Sequence, residues 1–268
     1  MMNRDSDAHG HKPCVIALHC SLGSGRQWSK LTQALDPGYQ VIAPDISGYG
    51  DNRGWLELPV TLADEIAFLG GDIDQATGPI HLVGHSYGGA IAFKMATSSP
   101  FAERIRSLTL IEPVLPTLLE DDDADHNSFT QLSRNVSADL ANGKSSQAID
   151  KFIHFWNGSA PAEELPPEAR LRMIERVKKI PFDFSAAFDE RNVACAAASI
   201  RVPTLLISGG LSPRLTQRIV ERLAATIEAA ETRHVHPAGH MLPITHGRLV
   251  NPRIAAHIMR ADYLVGVP

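Results

Sequence analysis

Ser86 stands in the run Gly84-His85-Ser86-Tyr87-Gly88-Gly89, a G-x-S-x-G pattern. An apolar stretch, residues 80–83, precedes it, and a helical pattern, residues 90–97, follows it. A serine on a tight strand-to-helix turn is pushed out of the sheet, and the glycines beside it are needed because side chains there would clash. Such a turn also aims a helix N-terminus and backbone N–H groups at whatever the serine attacks. The chemistry this suits is nucleophilic attack by a hydroxyl, which needs a base to take its proton. Histidine is the side chain whose pKa lies close to neutrality. The chain has twelve histidines, and His234, His236 and His240 cluster near the C-terminus. His-x-His on a strand puts both rings on one face, and a third histidine could complete a metal site. No flanking Asp, Glu or Cys makes a recognisable metal motif there, and the serine gives His240 a better use, so no metal is expected.

The elements that must position these residues alternate. Short apolar runs rich in Val, Ile and Leu fall at 15–19, 40–44, 80–84, 107–111 and 204–208, with a weaker sixth at 233–236. Continuous apolar runs of this length suit strands buried on both faces of a parallel sheet. Helical patterns lie between them at 25–35, 61–76, 86–98 and 213–230, and 246–264 closes the chain. Thr61 with Asp64 resembles a helix-start box. Strand alternating with helix means βαβ units with right-handed crossovers. Residues 116–200 break this rhythm with an acidic opening at 120–125 and helical patterns at 127–141, 146–156 and 167–179. The expectation is an α/β core formed by 1–115 and 201–268, carrying 116–200 as a helical cap.

Composition bounds the function. Of 268 residues 44% are hydrophobic and 21% charged, ordinary for a soluble globular chain. The net charge of −5, with both signs mixed along the sequence, argues against nucleic acid as a partner. The three cysteines, Cys14, Cys20 and Cys195, form no C-x-x-C pair and fit a reducing compartment. Residues 1–13 are polar and lack the apolar centre of a signal peptide, and no apolar run approaches the ~20 residues that span a bilayer. These features point to a cytoplasmic protein that does not engage membranes; a homodimer is left open.

From about residue 14 to 265 the chain resembles the α/β-hydrolase superfamily, in particular its esterase, lipase and C–C hydrolase branch with helical caps. His19-Cys20-Ser21 sits where such enzymes have His-Gly-x, and Ala43-Pro44-Asp45-Ile46-Ser47-Gly48-Tyr49-Gly50-Asp51 looks like the loop after their fourth strand. Only about a dozen residues precede the first run, which implies that the usual N-terminal antiparallel hairpin is missing. The resemblance implies that His240, in His236-Pro237-Ala238-Gly239-His240-Met241, is the general base. It implies an oxyanion hole made by the N–H groups of Tyr87 and Ser21.

One position departs from the family. The usual acid, an aspartate in Gly-x-x-Asp, is replaced by Ser212 in Gly209-Gly210-Leu211-Ser212. A serine hydroxyl could hold the imidazole but could not balance its charge. Glu112 follows the run 107–111, the neighbouring strand in this fold, and certain haloalkane dehalogenases are similar in carrying their acid there. Glu112 is the expected acid; Asp183, Asp189 and a two-residue Ser–His site are the alternatives, and Asp45 is expected to hold its own loop. Trp28, Phe155 and Trp156 are the candidate substrate contacts, the rest of the cap's aromatics being split between packing and pocket. No arginine cluster suggests a highly charged substrate.

The implied activity is cofactor-free hydrolysis of a small, mainly apolar ester or related acyl compound through an acyl-enzyme. The rivals are C–C bond hydrolysis, haloperoxidase-like perhydrolysis, and a ligand-binding module with degenerate catalysis. Dehalogenases and epoxide hydrolases of this fold use an aspartate nucleophile, which Ser86 argues against.

Overall fold

A computed structural model describes residues 12–35, 37–52, 54, 60–121, 123–158 and 165–264. The polar stretch 1–11 lies outside the described residues. Six strands form one sheet, β1 (Cys14–Leu18), β2 (Gln40–Ile42), β3 (Ile80–His85), β4 (Ile105–Ile111), β5 (Thr204–Gly209) and β6 (Ala230–Val235), in the order β2-β1-β3-β4-β5-β6. Every pairing is parallel. The apolar runs became strands because both faces are covered: β1, β3 and β5 are buried at every position. The sixth run starts three residues earlier than the sequence suggests, since its first five residues, Ala230 to His234, form a partly exposed edge whose mostly polar side chains hide the pattern.

A short 3-10 turn, Gly25–Trp28, leads into α1 (Ser29–Leu35). The stretch read as one helix from 61 to 76 is two, α2 (Leu62–Phe68) and α3 (Gly70–Ile73), broken at Leu69 just ahead of Gly70-Gly71. Thr61 caps α2 in a reciprocal box with Asp64. The helix after Ser86 is α4 (Tyr87–Ser98). Between β4 and β5 come α5 (Ala124–Ala141), α6 (Ser145–Asn157), α7 (Pro167–Arg176), α8 (Ile180–Asp189) and α9 (Val193–Ser199), with no strand among the described residues. The last two are not legible as helices in the sequence, because α8 opens Ile180-Pro181 and α9 is only seven residues long. The chain closes with α10 (Arg214–Thr226), α11 (Leu242–Thr245) and α12 (Gly247–Leu264).

Two apolar cores flank the sheet. One joins Ile16, Leu82 and Leu110 to α2, α4, α10 and the 116–200 segment. The other joins Val15, Val83 and Ile207 to α1 and α12. With β2 and β3 on opposite sides of β1, the chain reverses its winding between β1 and β3. In open parallel sheets that reversal leaves a crevice at the strand C-termini. No helix among the described residues is long and apolar enough to cross a membrane.

Candidate active site

β3 delivers Ser86 to the crevice on a strained turn, with φ 57° and ψ −119°. That conformation is rare for a residue with a Cβ and persists where the surroundings over-determine it. Here they do: Ser86 N–H donates to the Ile111 carbonyl, and its own carbonyl accepts from Ala90 and Val114. The glycines permit the approach. A Cβ on Gly88 would lie 2.3 Å from the His19 carbonyl oxygen, and one on Gly84 would lie 2.4 Å from that of Gly88.

The next strand delivers Glu112, also at positive φ (46°), its N–H anchored on the Ile207 carbonyl at 3.1 Å. Its two carboxylate oxygens have separate tasks. Oε1 accepts from Gly209 N–H at 2.7 Å, and Oε2 accepts from His240 Nδ1–H at 2.6 Å. A carboxylate can only accept, so the ring proton sits on Nδ1 and leaves Nε2 free. Ser86 Oγ–H donates to that Nε2 at 2.9 Å. Serine, histidine and glutamate, from the ends of β3, β6 and β4, thus form one hydrogen-bonded line, each under 5% exposed.

The alternatives lie elsewhere. Ser212 is buried, and its hydroxyl has no hydrogen-bond partner. Asp189 closes α8. Asp183 belongs to a buried cluster that the sequence did not reveal. Lys179 Nζ donates to Asp183 Oδ1 and to Glu65 Oε1, both at 2.6 Å. Tyr49 and Ser21 donate their hydroxyls to Asp183 Oδ2 at 2.6 and 2.5 Å, while Tyr87 and Ser47 donate theirs to Glu65. Burial alone would lower the Lys179 ammonium, but Asp183 and Glu65 together hold it above the usual lysine value. Burial also raises the Glu65 carboxyl, against the pull of Lys179. Only the Lys179–Asp183 spacing of four hinted at this in the sequence.

A second chain of bonds braces the loops. His85, next to the nucleophile and wholly buried, donates Nε2–H to the His240 carbonyl at 2.9 Å. Its Nδ1 must then accept, and Gln27 Nε2–H supplies the bond at 3.2 Å. Gln27 Oε1 in turn accepts from Cys20 N–H. Burial holds His85 well below the usual histidine pKa, which keeps the ring neutral and this polarity fixed. His19 pins the same loop, donating Nδ1–H to the Cys20 carbonyl and accepting from Ile46 N–H at Nε2. Burial pushes the Cys20 thiol up to about 12, so it packs as a neutral group. Asp45 accepts from the N–H groups of Gly25 and Asp51 and so ties two loops together.

Ser21, after β1, and Tyr87, first in α4, line a small cavity together with Ser86. Among the described residues neither backbone N–H donates to another backbone carbonyl outside helix and strand ladders. Both flank a cavity, and a larger one of about 240 Å³ opens beside it, lined mostly by apolar groups such as Leu22, Phe152, Trp156, Met173 and Leu211. Trp156 stacks on His240 with ring centroids 4.3 Å apart and an angle of 21°. Its buried indole N–H has no partner. The other two aromatic candidates are not pocket residues. Trp28 is 1% exposed in the core beneath the sheet, against Ala17 and Leu31, because the turn before α1 directs it away from the strand ends. Phe155, one position from Trp156, points about 100° away around the helix and packs on Phe129 instead. His234 bonds Ser208, and no group of three or more His, Cys, Asp or Glu able to hold a metal occurs among the described residues.

A nucleophile turn after a parallel strand, an imidazole after the last strand and an acid between them define a hydrolase of the α/β class. The profile of the alpha/beta hydrolase fold family matches residues 13–247, and the chain belongs to that family. Among curated relatives, lipase LipV of Mycobacterium tuberculosis is 33% identical over 102 residues, 38% of this chain and 37% of the lipase. The match thus spans well under half the length of that protein. A haloalkane dehalogenase of Bradyrhizobium diazoefficiens is 23% identical over 274 residues, covering 92% of this chain and 87% of its own. Of solved structures, the enol-lactonase from Burkholderia xenovorans superposes with a TM-score of 0.74 at 20% identity, over 95% of this chain and 94% of that one.

Proposed function

We propose that the protein is a serine carboxylic ester hydrolase acting on a small, mainly apolar ester. The observation that carries this reading is the unbroken line Ser86 Oγ–H to His240 Nε2 and His240 Nδ1–H to Glu112, at the wall of an apolar cavity. His240 takes the serine proton as Oγ bonds to the ester carbonyl carbon. The N–H groups of Ser21 and Tyr87 stabilise the oxyanion of the tetrahedral intermediate. The C–O bond to the alcohol then breaks, and His240 returns the proton to the departing oxygen. Water repeats the sequence on the acyl-enzyme and releases the acid. Glu112 keeps the ring in its productive tautomer and balances the imidazolium formed at each step.

A fluorophosphonate probe tests this. It should label Ser86, and Ser86→Ala should abolish both labelling and ester hydrolysis. An adduct on another residue, or hydrolysis surviving in Ser86→Ala, refutes the reading.

A further inference from the structure

Two cavities meet at Ser86, and only one touches the base. The larger, about 240 Å³, is walled by His240 and the loop that carries it, Pro237, Gly239 and Met241. The smaller, about 10 Å³, runs inward past Ser86 and Tyr87 to Val114, Phe129, Ile180 and Phe184; His240 is not among its walls. A cavity that size holds about one water or one methyl group. Its aromatic walls brace one another: Phe129 and Phe184 meet at 5.2 Å between ring centroids, and Phe184 and Phe152 at 6.3 Å. Behind them the Lys179–Asp183 pair, both side chains almost wholly buried, closes the end.

General acid–base chemistry decides which side of the ester goes where. The base that takes the serine proton must return it to the leaving oxygen, so the alcohol has to lie within reach of His240 Nε2. The water that later attacks the acyl-enzyme must give its proton to the same nitrogen, so it takes the same route. Both therefore use the larger cavity, and the acyl group is left with the smaller one. Resting on the serine-hydrolase reading, we propose that the preferred substrates are esters of a very short acid, acetate above all, with a bulky apolar alcohol. The inner pocket excludes longer acyl chains, while the outer cavity accepts alcohols of the size of an aryl-alkyl group.

Two comparisons test this. Along p-nitrophenyl acetate, butyrate and octanoate the leaving group is constant, and kcat/KM should fall on the order of ten- to a hundredfold from first to last. Of the isomers 2-phenylethyl acetate and ethyl phenylacetate, the acetate should be preferred. Phe184→Ala should enlarge the inner pocket and move the optimum to butyrate; Ile180→Ala serves where the melting curve shows that Phe184→Ala does not fold. Preference for octanoate, or for ethyl phenylacetate, overturns the assignment while leaving the nucleophile intact. A Ser86 that takes the fluorophosphonate but turns over no acetate ester overturns it too. Failure of labelling together with failure of every ester overturns the hydrolase reading itself.

Discussion

Replacing Glu112 by glutamine preserves shape and removes charge, and the bonds around the side chain determine the result. Both carboxylate oxygens are engaged, one by Gly209 N–H at 2.7 Å and one by His240 Nδ1–H at 2.6 Å. Glutamine offers a single acceptor oxygen and an NH₂ group. If the oxygen keeps Gly209, the NH₂ faces Nδ1, and the ring must move its proton to Nε2, where it points at Ser86 instead of accepting from it. If the amide turns over, the NH₂ opposes Gly209 N–H in a site without solvent, at a cost of about 1–3 kcal/mol. The first arrangement is the cheaper, and it is the unproductive tautomer. Loss of the acid in this manner lowers turnover about 10⁴-fold, or about 5 kcal/mol of barrier at 1.36 kcal/mol per decade. The assay is kcat on p-nitrophenyl acetate for wild type, Glu112→Gln and Ser212→Ala, with melting temperatures alongside. Glu112→Gln should lose about four decades while remaining folded. Ser212→Ala should turn over normally, since it deletes a buried hydroxyl that bonds nothing. A Glu112→Gln enzyme within tenfold of wild type, or a Ser212→Ala enzyme equally crippled, refutes the assignment.

Lys179→Met strips the cation that bridges a buried pair of carboxylates, which should destabilise the protein by about 3–5 kcal/mol and lower its melting temperature on the order of 10 °C; an unchanged melt would show that the cluster contributes nothing. Acid should also loosen the closing helix. Burial holds His257 down from 6.5 to about 4, so between these values the unfolded chain binds a proton that the folded one refuses. Stability therefore falls as pH drops through that window, by about 1.4 kcal/mol per unit for this group. Thermal melts at pH 7 and pH 5 should show a loss about 2 kcal/mol smaller in His257→Gln than in wild type, and equal losses would contradict the argument.

Much of this architecture was readable because burial on both faces leaves a plain mark: 80–83 and 204–208 are short runs dominated by Ile, Leu and Val. Ser86 could be named from its G-x-S-x-G turn, while His240 and Glu112 could be named from what the resemblance to the α/β-hydrolase superfamily implies for the loops after the last strand and after 107–111. Directions around a helix were another matter. Trp28 and Phe155 have the composition of pocket residues, yet which way each points depends on a turn of roughly 100° per residue and on which face of the sheet the helix covers. The bonds of Gln27 to His85 and of Lys179 to Glu65 join residues 58 and 114 positions apart, and no local pattern encodes such a meeting.

The Lys179 cluster bears on traffic as well as on folding. Lys179 immediately precedes α8 and is bonded to Glu65 in α2, while Arg176 donates to the carbonyls of Gly48 and Gly50. Lifting this edge of the 116–200 segment off the sheet would part a buried ion pair on every cycle, a barrier of several kcal/mol. Passage between the partly exposed side chains of Leu165 and Met173 on one bank and Met241 and His246 on the other breaks nothing comparable. If Ser86 acts as proposed, the gap works as a fixed sieve. A molecule too broad for the gap never samples Ser86, however reactive its carbonyl, and that discrimination is registered in the rate of capture and not in the rate of the bond-breaking step.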